Sequence, residues 1–123
     1  HSYYPWWHGS LDDLRANLAF MAKTYDKDVY LVEVAYNWRT AEYRQQPGPF
    51  PETPEGQRQF LEQVNQIVPE TPGGRGKGIF WWEPAVLPGP IASRGMFDDD
   101  GNALPVIAVF DPPARMQAPA ASR

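Results

Sequence analysis

The chain has 123 residues, enough for one compact domain and too few for a large one. A net charge of −4 with 21% charged residues leaves no basic stripe, which argues against nucleic acid as a partner. No apolar stretch nears the roughly 20 residues of a membrane span, and without cysteine there is neither a disulfide framework nor a thiolate metal site. No charged and apolar leader opens the chain, and the start at His1 reads as cut, not natural.

The first motif is Tyr3-Tyr4-Pro5-Trp6-Trp7-His8-Gly9. Ser10 then caps a helix, with Asp13 completing a capping box and Asp12 favourable in the first turn. Leu11, Leu14, Leu18, Met21 and Tyr25 follow at helical spacing and mark a buried stripe. Residues 29–34 are apolar at both alternating positions, the pattern of a parallel strand buried on two sides. After a polar, Pro-rich loop over residues 37–52, Thr53-Pro54-Glu55 supplies cap, first-turn proline and first-turn acid. Phe60, Leu61, Val64, Ile67 and Val68 form that helix's apolar face, and Pro69 stops it. The Pro72–Gly76 loop leads into a second apolar strand at 78–83. A turn at Asp99–Asn102 and an apolar segment from Leu104 to Phe110 close the ordered part, residues 1–111. The Ala/Pro-rich stretch 112–123 has nothing to bury and is expected to be disordered.

Alternating strands and helices predict parallel strands joined by crossovers. The loops leaving the strands, after Pro5, Glu33 and Glu83, are long and aromatic, whereas those entering are short and plain. That asymmetry predicts an α/β fold of the (β/α)8 barrel type, whose sites sit on the C-terminal face. A full barrel takes about 250 residues, so this chain, with three strand candidates, cannot close one by itself.

Five tryptophans, four of them in two Trp-Trp pairs near strand ends, flank acids. Indole stacks on the apolar C–H face of a sugar, and carboxylates accept from its hydroxyl rim, so the clusters suit a sugar cleft. Core filling is the plainer reading of each aromatic taken singly.

Taken in order, SYYPWWHG, DVYLVEVAYNW, TPEGQRQFL, GIFWWEPA and MFDDDGNALP resemble the C-terminal part of an arabinogalactan endo-β-1,4-galactanase. The resemblance runs from residue 2 to about residue 110. It implies the last three strands, about 6–8, of a (β/α)8 barrel from a retaining glycosidase acting on galactan or arabinogalactan. It further implies an upstream barrel half, a secreted or periplasmic location and no cofactor. Retaining glycosidases pair two carboxyls about 5–5.5 Å apart, a nucleophile and an acid/base. The position that matches the family's nucleophile is Glu33, at the tip of the 29–34 strand. Val34 stands where the family has threonine and Asn37 where it has proline. Trp82 matches the stacking floor beneath the sugar, which turns Trp81 to the opposite side of its strand. Tyr3 or Tyr4 would donate a hydroxyl to Glu33, and alternation admits only one of them to the lumen. Trp6 and Trp7 would line an outer subsite, while His8 and Gly9 turn the chain towards Ser10.

The family's acid/base follows an asparagine, and this chain contains no Asn-Glu pair. Spacing alone nominates Glu83, since neighbouring strands lie ~4.8 Å apart. The resemblance makes Glu83 a structural or substrate-binding residue instead. The competing function is a non-catalytic fragment that at most binds galactan. Two further signals are set aside. Asp98-x-Asp100-x-Asn102 opens like a calcium loop, but Val109 occupies its twelfth position, so no metal is expected there. The glycines at 73–76 precede a strand, not a helix, and form a connection, not a phosphate loop.

Overall fold

The computed structural model describes residues 1–41 and 46–111. The tail expected to be disordered, 112–123, and part of the 37–52 loop lie outside the described residues. Three parallel strands, β1 (Ser2–Tyr3), β2 (Val29–Val34) and β3 (Gly76–Trp81), form one sheet in the order β1-β2-β3. Helix α1 (Leu11–Tyr25) connects β1 to β2, and α2 (Pro54–Ile67) connects β2 to β3.

Both helix starts follow from their caps. The Ser10 side chain accepts from the Asp13 backbone N–H, and Asp13 accepts in return from the Ser10 N–H at 2.8 Å. Hydrogen bonds from Ser10 hold the Asp13 carboxyl below its usual range. Thr53 accepts from Gly56 N–H at 3.0 Å with Pro54 at the first helical position. Gly56 is required there: a Cβ would run into the Pro51 carbonyl oxygen.

One face of the sheet carries the core. Tyr3, Leu31 and Val34 pack with Leu14 and Leu18 of α1 and with Phe60, Leu61 and Val64 of α2. Tyr25 departs from the expected stripe and is 63% exposed, while Ala22 is buried. Leu14, Leu18 and Ala22 recur every four residues, so the stripe drifts off the Tyr25 position.

The expectation that β2 is buried on both sides is corrected. Tyr30, Val32 and Phe80 are exposed, with the Tyr30 and Phe80 rings 6.4 Å apart. Helices cover only one side of this sheet, and the other is the side that a closed barrel turns inward. β2 is also the central strand, so the sheet edges are β1 and β3. The last strand sits two residues earlier than the expected 78–83, at Gly76–Trp81, which leaves Trp82 and Glu83 in the loop. Glu83 there takes a left-handed conformation, φ 56°. The apolar segment near the end is a 3₁₀ helix, Pro105–Phe110, packed against α2.

Beyond β2 and β3 the loops are joined by buried polar side chains. Gln57, fully buried on α2, donates through Nε2 to the Tyr36 carbonyl at 2.9 Å and the Gly95 carbonyl at 2.8 Å. Gln57→Leu deletes the donor to both carbonyls. At about 1–3 kcal/mol for each stranded buried group, the variant should show a clear drop in denaturant midpoint at unchanged helix content.

Candidate functional site

The site is assembled at the C-terminal ends of the three strands. After β1, a tight turn is closed by Trp7 and His8 N–H groups, both donating to the Tyr4 carbonyl at 3.0 Å. The Tyr4 N–H donates to His8 Nδ1 at 3.0 Å, so the imidazole locks the same turn from the side. His8 is therefore more than a connector, a role with no signal in the local sequence. Gly9 follows at φ 84°, and a Cβ there would crowd Asp13 Oδ2 at 2.7 Å.

The choice between the two tyrosines resolves by strand alternation. Tyr3 is fully buried, stacked on Phe60 at 6.3 Å, and its hydroxyl donates to the Gly9 carbonyl at 3.0 Å. Tyr4 points the other way, and its hydroxyl donates to Glu33 Oε2 at 3.0 Å. Glu33 stands one residue before the end of β2, half-buried. Asn37 does not take part in holding Glu33. Its amide donates to Glu52 Oε1 at 2.7 Å, and its Oδ1 accepts from the Ser93 hydroxyl at 3.0 Å.

The Trp82 and Tyr4 rings meet in a T-shaped contact at 6.3 Å, and Trp82 remains partly exposed. Trp81 turns inward as alternation requires, and its Nε1 donates to the Arg94 carbonyl at 2.9 Å. The Trp6-Trp7 pair divides its labour. Trp6 is buried and stacks on Tyr36 at 5.7 Å and Tyr4 at 6.3 Å, whereas Trp7 is 59% exposed. Glu83 is exposed on the rim, yet close enough to Tyr4 for its charge to act on the phenol.

Sequence reading missed Arg94. It ends a 3₁₀ turn, Ala92–Arg94, and is only 5% exposed. Its guanidinium lies over Trp6 at 4.9 Å, Trp7 at 5.3 Å, and Tyr4 and Trp82 at 5.6 Å each. An arginine in a loop of Ala, Ser and Gly offers no local cue that it will land among four rings. Among the described residues, no group of three or more His, Cys, Asp or Glu is placed to hold a metal ion. No helix there is long and apolar enough to cross a membrane.

Burial pushes the Tyr4 phenol well above its ordinary range. The hydrogen bond to Glu33 and that carboxylate's charge push the same way, and Arg94 opposes them. Burial also raises Tyr3 and Tyr36. The unfolded chain releases these protons near pH 10.0, while the folded chain keeps them. Their contribution to stability is thus intact below pH 10.0 and lost as pH climbs through the raised folded values. Denaturant midpoints measured at successive alkaline pH should fall above that point, and less steeply in Tyr4→Phe.

Comparison with known proteins agrees with this geometry. The sequence pattern of glycosyl hydrolase family 53 matches residues 1–110. An endo-beta-1,4-galactanase of Bacillus subtilis (strain 168) is 38% identical over 96 residues, covering 71% of this chain and 22% of that protein. An arabinogalactan endo-beta-1,4-galactanase of Thermothelomyces thermophilus is 34% identical over 122 residues, covering 89% of this chain and 36% of its own length. Among solved structures, the GH53 catalytic domain of Ignisphaera aggregans superposes with a TM-score of 0.79 at 27% identity. It shares 89% of this chain and 36% of that one. The chain thus spans about a third or less of the length of these relatives, and its parallel sheet with alternating helices is part of their (β/α)8 barrel.

Proposed function

The chain belongs to glycosyl hydrolase family 53, and from that membership we propose that it forms the C-terminal part of an endo-acting galactanase. In this reading the substrate is β-1,4-galactan or type I arabinogalactan, cleaved with retention. The observation that carries it is the 3.0 Å hydrogen bond from Tyr4 to Glu33 at the tip of β2, with Trp82 edge-on to the same tyrosine. A carboxylate held by a phenol, with a partly exposed indole against the same phenol, suits attack on a sugar resting on that indole.

Glu33 attacks the anomeric carbon, the glycosidic bond breaks, and a glycosyl ester forms on Glu33. The departing oxygen takes its proton from a second carboxylic acid, which then deprotonates the water that hydrolyses the ester. That acid/base comes from the remainder of the barrel, about 5–5.5 Å from Glu33 in a retaining enzyme. Tyr4 holds one oxygen of Glu33, so the other is free to attack. Trp82 carries the sugar at the cleavage point, Trp7 offers its exposed face to an outer sugar, and Glu83 accepts from hydroxyls on the rim. Trp6 supports Tyr4 from behind. A polysaccharide substrate, too large to enter cells intact, supports a location outside the cytoplasm as part of the same proposal.

The test uses the full-length protein. Glu33→Gln should abolish release of reducing ends from galactan while galacto-oligosaccharide binding persists, because the amide keeps the shape but cannot attack. Undiminished hydrolysis by this variant would remove Glu33 from the mechanism. Trp82→Ala should weaken binding and turnover together by about 0.5–1.5 kcal/mol, the scale of a lost aromatic contact; unchanged kinetics would make Trp82 a packing residue. Residues 1–123 expressed alone should not hydrolyse galactan, since general acid help is commonly worth about 10²–10⁴ in rate. Activity of that segment on galactan, with azide accelerating turnover of an activated aryl galactoside in Glu83→Ala, would instead identify Glu83 as the acid/base.

A further inference from the structure

We propose that Arg94 is the positioning residue of the cleft's aromatic wall. Its guanidinium sets the mutual orientation of Tyr4, Trp6, Trp7 and Trp82, and so shapes the surface a galactan chain lies on. The inference rests on the galactan reading for its ligand, but not for its geometry.

Three observations support it. First, Arg94 as a residue is only 5% exposed, and its guanidinium lies within 6 Å of all four ring centres, at 4.9 to 5.6 Å. A desolvated cation over an aromatic face is attracted more strongly than an exposed one. Second, these rings come from two separate segments, the turn after β1 and the loop after β3, and Arg94 spans both. The Tyr4–Trp82 edge contact is the only other ring contact that joins these segments among the described residues, at 6.3 Å. Third, the arginine's own backbone is fixed from several sides. Its carbonyl accepts from Trp81 Nε1 at 2.9 Å, the Ser93 carbonyl from Trp38 N–H at 2.8 Å, and the Gly95 carbonyl from Gln57 Nε2 at 2.8 Å. A head group on so constrained a backbone can hold neighbours in place instead of following them. Its charge also acts directly on Tyr4, the donor to Glu33.

The test compares wild type, Arg94→Met and Arg94→Lys in the full-length protein. Methionine keeps much of the stem without the charge; lysine keeps the charge without the flat guanidinium. Near-ultraviolet circular dichroism reports aromatic packing without any ligand. Arg94→Met should lose much of the tryptophan signal at unchanged far-ultraviolet signal, and Arg94→Lys should recover part of it. Affinity for galactotetraose should fall roughly tenfold in Arg94→Met, with partial rescue in Arg94→Lys. If Arg94→Met does not fold, Arg94→Lys must still show a reduced near-ultraviolet signal. Wild-type aromatic dichroism in Arg94→Met, or in a folded Arg94→Lys when Arg94→Met does not fold, would overturn the proposal. Failure of the wild type to bind galactotetraose would remove the galactan reading alone, with the circular dichroism still deciding the role of Arg94.

Discussion

Satisfying buried backbone groups in the loops is the constraint on which the rest of this structure depends. Residues 35–37 after β2 and 92–96 after β3 are buried, where an unpaired carbonyl or N–H costs about as much as a whole net hydrogen bond contributes. Side chains from other elements meet that demand. Gln57 reaches from α2 to two loop carbonyls, Asn37 joins Glu52 to Ser93, and the indoles of Trp38 and Trp81 donate to the Ala92 and Arg94 carbonyls. Each of these bonds ties a loop to another loop, to a helix or to β3. The loops therefore behave as extensions of the sheet, and the side chains they carry have defined places.

That rigidity is what gives the aromatic cluster chemical meaning. Tyr4 is clasped between a turn that His8 closes and a cation that α2 and β3 hold through the loop backbone. Its hydroxyl then has one carboxylate within reach, that of Glu33. Burial, the hydrogen bond to Glu33 and the neighbouring carboxylates favour the protonated phenol, so it stays a donor below its ordinary titration range. A donor held protonated keeps a fixed hydrogen bond to that carboxylate.

The two faces of the sheet differ for one reason. The helices of this chain cover one side, where Tyr3, Leu31 and Phe60 make a dense core. The other side shows Tyr30, Val32 and Phe80 to solvent, an apolar surface of the kind barrel interiors fill with side chains from alternate strands. Length and fold agree here: a segment about a third as long as its relatives contains three parallel strands of an eight-stranded architecture.

Much of this was legible from local chemistry. The caps at Ser10 and Thr53, the Pro69 stop, the β2 strand and the carboxylate near its tip each depend on residues close in sequence, so propensity and spacing suffice to place them. Resemblance to a family supplied the separate roles expected of Glu33 and Glu83, since spacing alone pairs the two as neighbours across the sheet. The misjudged elements share one physical cause. The start of β3 at Gly76, the exposure of Val32 and Tyr25, and the departure of Glu83 from its strand depend on what lies across the sheet or against the helix, not on neighbours in the chain. The same holds for the choice of Tyr4 over Tyr3, the clamp made by His8 and the placement of Arg94 over four rings. By itself the sequence determined the elements, their order and the residue types at the strand ends. Only the tertiary structure decided which of those side chains meet, because those contacts join residues distant in the chain and are selected by packing and hydrogen-bond satisfaction in three dimensions.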